Sequence, residues 1–104
     1  MLHTLHNDFL QVSVSTIGAE LQHIIDAQNQ QEYLWQGDAA IWGRRAPVLF
    51  PIVGKALHNQ LSIDSTNYAM GQHGFARDKD FECQKQSEDE LVFVLNEDEK
   101  SQEI

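Results

Sequence analysis

Apolar and polar residues alternate along Phe9–Ser15. Leu10, Val12 and Val14 fall on one side of an extended chain, and Gln11, Ser13 and Ser15 on the other. A period of two predicts a strand with one buried face. Gly18 breaks the pattern, as a turn or bulge would. Glu20–Asp26 predicts a second strand, with some helical ambiguity, and Ala27–Gln31 a polar turn. Tyr33–Trp35 reads as a short third strand, so this region is expected to be a meander of hairpins.

Residues 36–46 read as irregular or briefly helical, with Asp38 able to cap a turn through Ile41 and Trp42. In Ala46–Gly54 the pair Pro47 and Pro51 rules out a central helix and weakens a regular ladder. A buried, extended, proline-bent segment is expected. Leu61–Asp64 and Thr66–Met70 predict a hairpin turning at Asp64-Ser65. Phe81–Lys85 alternates again, and Glu90–Asn96 is the strongest strand by its β-branched and aromatic content. The first residues, with His3 and His6, and the acidic stretch 97–104 are expected to fray. The whole reads as all-β, with no repeat and no Gly/Ser linker.

Charge narrows the partners. The formal net charge is −9, and residues 78–104 carry ten of the sixteen acids but only three of the seven bases. A nucleic acid would be repelled. No basic amphipathic stretch or long apolar run suggests a membrane partner, and MLHTLHNDFLQ has neither the basic start nor the apolar core of a signal peptide. Cys83 is the lone cysteine, which fits a reducing, cytoplasmic setting. No Cys/His spacing suggests a metal site.

Candidate chemistry sits in three stretches: Tyr33–Asp38 with Trp42, Gly43–Lys55, and Gly71–Asp78. In the last, His73 stands among glycines four residues before Arg77. Their donors suit sugar oxygens or a developing alkoxide. A surface loop with Arg77 paired to Asp78 or Asp80 fits the same residues. Arg44 and Arg45 read as a ligand clamp or, preferably, as structural groups, one paired with a carboxylate and one lying over Trp42. Among the aromatic faces, Trp35 and Phe50 are expected in the core, and Phe75, beside His73, is the most open to a site role. Cys83 reads as a small core residue.

The order YLWQGD, WGRRAPVLFPIVGK and QHGFARDKDFE, preceded by IGAEL, resembles the aldose 1-epimerase (galactose mutarotase) superfamily. The similarity is greatest to its LacX-like branch and covers roughly residues 7–95. It implies an antiparallel β-sandwich of the galactose mutarotase-like supersandwich type, with residues 1–104 as the N-terminal portion of one domain. It also implies acid/base interconversion of the α and β anomers of an aldose, with no cofactor and no metal. His73 matches the family's sugar-binding, polarising histidine. Arg77 falls in the matching HGFAR segment, Phe75 lies between them, and Lys55 stands where relatives carry arginine.

The family's general-acid histidine and general-base glutamate belong to a later part of its pattern, and nothing after Arg77 matches them. Two expectations follow from the resemblance. One is a mutarotase-type isomerase of which this is the first part. The other is a non-catalytic sugar-binding fragment or vestigial, truncated protein. The partner expected is an aldose, free or phosphorylated, with self-association or pairing to a missing C-terminal half to cover open strand edges. A small β module with an acidic end for a basic partner is the reading outside the family.

Overall fold

A computed structural model of the chain describes residues 1–98. Among these residues, seven strands form three small antiparallel sheets. β1 (Leu2–His6), β2 (Leu10–Ser15) and β3 (Leu21–Asp26) make the first, in that order. β4 (Gln60–Ile63) and β5 (Thr66–Ala69) make the second, and β6 (Glu82–Gln86) and β7 (Leu91–Val94) the third. The fold is nearly all-β, as the alternation predicted, with only two 3-10 turns, Leu57–Asn59 and Ala76–Asp78. No helix among the described residues is long and apolar enough to cross a membrane.

The β4–β5 hairpin turns at Asp64-Ser65, whose φ angles of 50° and 68° are both positive. That conformation matches the right-handed twist of the flanking strands. β2 departs from strict alternation at its end. A bulge between Ser13 and Val14 interrupts its register with β3, and both residues are buried. The Ser13 hydroxyl is satisfied there by the Thr4 hydroxyl at 3.1 Å.

The N-terminus does not fray as expected. β1 pairs with β2 from Leu2↔Ser15 to His6↔Gln11, and it is also tied to the third sheet. His3 Nδ1 meets Gln86 Oε1 at 2.8 Å, the His3 ring sits edge-on to Phe93, and the His6 N–H donates to the Glu88 carbonyl. Tyr33–Trp35 is no strand. Only Glu32 bridges to Ile25, because the Glu32 carboxylate takes up the N–H groups of Ile24 and Leu34. Asp38 makes its turn, accepting from the Ala40 N–H with its side chain and from Ile41 and Trp42 with its carbonyl. Of the tail expected to fray, residues 99–104 lie outside the described residues. Asp98 is held by Lys79 at 2.6 Å.

The core is small. Val14, Met70, Phe75 and Ala76 are its buried apolar residues. Trp35 and Phe50, expected inside, are 40% and 55% exposed, while Phe75 is buried edge-on to Phe50. The radius of gyration is 16.4 Å, against about 13 Å for a compact chain of this length. The molecule is therefore extended, and large apolar side chains such as Val53 and Leu57 face solvent.

Candidate functional site

Three sets of backbone contacts bring distant stretches around one cavity. The loop after β2 lies against residues 79–81. Gly18 donates to the Lys79 carbonyl at 2.7 Å, Phe81 donates to the Thr16 carbonyl at 2.7 Å, and Ile17 bridges Asp80. Gly18 packs so closely on the Arg77 carbonyl that a Cβ there would overlap it. This seat fixes the backbone from which Arg77 projects.

Glu20 supplies the second set. Its Oε2 accepts the N–H groups of both Arg45 and Ala46 at 3.0 Å. A carboxylate receiving two backbone donors makes charge-assisted bonds, roughly twice as strong as neutral ones. It anchors the start of the proline-bent segment, which continues through Pro47 and Leu49.

The third set joins that segment to the histidine loop. The Phe50 carbonyl accepts from Phe75 at 3.0 Å and from Ala76 at 3.1 Å, and Phe50 forms a parallel bridge with Gly74. Gly74, at φ 77°, has no room for a Cβ against the Phe50 carbonyl. Farther along, the His73 N–H donates to the Gly54 carbonyl at 2.7 Å, and the Gly54 N–H donates to His73 Nδ1 at 2.8 Å. His73 itself adopts φ 62°, a left-handed conformation uncommon for a residue with a side chain. The motifs APVLFPIVG and QHGFAR are thus two edges of one clasp.

The cavity they enclose measures about 340 Å³ and is lined by Trp42, Pro47, Leu49, Gln72, His73 and Arg77. Arg77 forms no ion pair with any described residue, and its buried Nε has no hydrogen-bond partner among them. The carboxylate beside it is engaged elsewhere. Asp78 Oδ1 accepts from Arg44 Nη2 at 2.8 Å, and that hydrogen bond holds the Asp78 carboxyl below its ordinary range. Arg45 is structural too, donating to the carbonyls of Gln22 and Gln36 and to the Gln22 side chain.

The four residues expected at the site separate here. His73 and Arg77 are together in the cavity wall. Lys55 is exposed and outside the lining, and Phe75 is buried edge-on to Phe50 with Lys79 over its ring. Trp42 and Gln72 join the lining instead. Gln72 had a signal in its position beside His73. Trp42 had one in its spacing before the proline-bent run.

The family model described as aldose 1-epimerase matches residues 1–103 of this chain. The chain belongs to the aldose 1-epimerase family. Protein LacX of Lactococcus lactis subsp. lactis is 36% identical to it over an alignment of 97 positions that covers 88% of this chain and 32% of LacX. A galactose mutarotase related enzyme from Lactobacillus acidophilus superposes with a TM-score of 0.94 at 39% identity, over 98% of this chain and 34% of that one. A galactose mutarotase-like protein from Lactobacillus casei gives 0.93 at 35%, over 97% and 34%. This epimerase-family chain therefore has a galactose mutarotase-like fold and spans about a third of the length of those relatives.

Proposed function

We propose that this chain forms the sugar-recognising wall of an aldose 1-epimerase-type site. The observation that carries the reading is the joint presence of His73, Arg77 and Gln72 with Trp42, Pro47 and Leu49 around one cavity. A pyranose presents hydroxyl and ring oxygens at its edge and C–H groups on its faces. Polar donors set beside an aromatic and aliphatic surface complement both.

An uncharged aldose fits better than a phosphosugar. Arg44 is committed to Asp78 and Arg45 to Gln22 and Gln36, which leaves Arg77 as the one cation in the lining among the described residues. Anomer interconversion needs a base for the C1 hydroxyl proton and an acid for the ring oxygen, each within hydrogen-bond reach. Among the described residues no carboxylate lines the cavity. The base accordingly belongs to the part of the epimerase fold beyond this third, and the chain by itself binds sugar without turning it over. The lone thiol Cys83 suits a reducing, cytoplasmic setting.

The test pairs binding with turnover. At about 0.3 kcal/mol per sugar non-hydrogen atom, D-galactose or D-glucose should bind with a Kd on the order of 1 mM in an NMR titration. Arg77→Ala should abolish the response. Polarimetry on fresh α-D-galactose should show no acceleration. An acceleration that disappears in His73→Ala would overturn the claim that the base lies elsewhere, and absence of binding by any aldose would overturn the sugar reading.

A further inference from the structure

The clasp between Gly54 and His73 has a chemical direction. A peptide N–H can only donate, so the Gly54 N–H at 2.8 Å requires a lone pair on His73 Nδ1. In the neutral ring the proton then resides on Nε2. The ring cannot reverse this assignment without setting two donors against each other. Its backbone is held in the same frame, because the His73 N–H donates to the Gly54 carbonyl at 2.7 Å.

We infer that Gly54 is a positioning residue whose peptide N–H fixes His73 as the Nε2–H tautomer, so that the neutral imidazole meets a ligand in the cavity as a hydrogen-bond donor and not as a base. This rests on the sugar reading only for the identity of the ligand. The acceptor so recognised is a sugar oxygen, and the proton of the C1 hydroxyl must go to another group. The need for glycine at this position is conformational. Nothing lies within 4 Å of the site of a Cβ on Gly54, but its φ is 85°. A side chain would favour a different φ and swing the N–H away from the ring.

The decisive measurement is the nitrogen–nitrogen coupling across the Gly54 N–H···Nδ1 hydrogen bond in uniformly 15N-labelled full chain. A resolved coupling, with the proton on Nε2, is the expected result. Absence of the coupling, or a proton on Nδ1 of the neutral ring, overturns the inference. Amide exchange gives a second readout. His73→Ala removes the acceptor and should speed exchange of the Gly54 amide by about tenfold, as loss of one hydrogen bond implies. His73→Asn tolerates the same backbone conformation and offers an oxygen near the place of Nδ1, so it should restore protection. Equal exchange in wild type and His73→Ala overturns the inference. Addition of D-galactose should move the Nε2 resonance and leave the coupling intact. A coupling that persists while no aldose moves Nε2 supports the tautomer lock and defeats the sugar reading instead.

Discussion

Arg44 reaches across 34 positions of sequence to hold Asp78, with 2.8 Å between Nη2 and Oδ1. The contact takes up the carboxylate beside Arg77. Arg77 still acts on Asp78 through its charge, since both arginines favour the ionised carboxyl. It is Arg44 that makes the bond.

Removing Arg44 should therefore weaken sugar binding without touching the cavity. In Arg44→Ala the Asp78 carboxylate is released and competes for the Arg77 guanidinium. A three- to tenfold rise in Kd is expected, about 1 kcal/mol, the scale of an exposed ion pair. Arg44→Ala with Asp78→Asn should recover most of the affinity. Titration of the four proteins with D-galactose checks this, and an additive double variant would contradict it.

The same pair makes stability depend on acid. The folded Asp78 carboxyl is held below its unfolded value by Arg44. Its contribution is thus fully present above the ordinary carboxylate pKa of about 4 and is lost as pH falls through the lower folded value. Side-chain exposure of 61% keeps it small, under about 1 kcal/mol. Urea midpoints of wild type should fall further than those of Arg44→Ala as pH is lowered from about 5 to about 2.5. Parallel curves would remove the pair from the account.

The glycines of the clasp should rank by their surroundings. Gly74→Ala puts a Cβ into the Phe50 carbonyl at a left-handed φ and should cost about 3 kcal/mol or more. Gly54→Ala has space but keeps the unfavourable φ, and should cost about 1–2 kcal/mol. Gly71→Ala has nothing within 4 Å and no positive φ, so it should be close to neutral. Chemical denaturation orders the three, and a Gly71→Ala change as damaging as Gly74→Ala would refute the ranking.

Exposed apolar side chains should make the isolated chain associate. Val53 and Leu57 are 76% and 80% exposed near the clasp. Exposed apolar side chains, where they form a patch, mark an interaction surface or an aggregation liability. Light scattering should rise with concentration in wild type and fall in Val53→Lys with Leu57→Lys. The denaturation midpoint should change by less than about 0.5 kcal/mol equivalent. A monomer at all concentrations would show that these side chains do not drive association.

Much of the fold was legible because it is local. β2, β3, the β4–β5 hairpin and β7 announce themselves by alternation and turn residues, and each pairs with a near neighbour in sequence. β1 was missed because part of what holds it is remote, with His3 bonding 83 positions away. Tyr33–Trp35 misled because local propensity cannot foresee a carboxylate, that of Glu32, taking up backbone donors. Trp35 and Phe50 look like core by hydrophobicity, yet they are 40% and 55% exposed in a chain that spans about a third of its relatives' length. At the site, His73 and Arg77 were visible as a motif. The exchange of Asp78 from Arg77 to Arg44, and the descent of Phe75 into the core, depend on tertiary contacts that no spacing encodes.

The clasp also limits how the histidine loop can be moved or redesigned. Its histidine is held at both its N–H and its ring by main-chain atoms of a residue some twenty positions earlier, Gly54. Transplanting 71–77 alone into another β scaffold would carry the histidine but leave its ring free to turn. Residues 50–54 would have to travel with it as a single cassette, and a one-residue insertion in either strip would mis-register both.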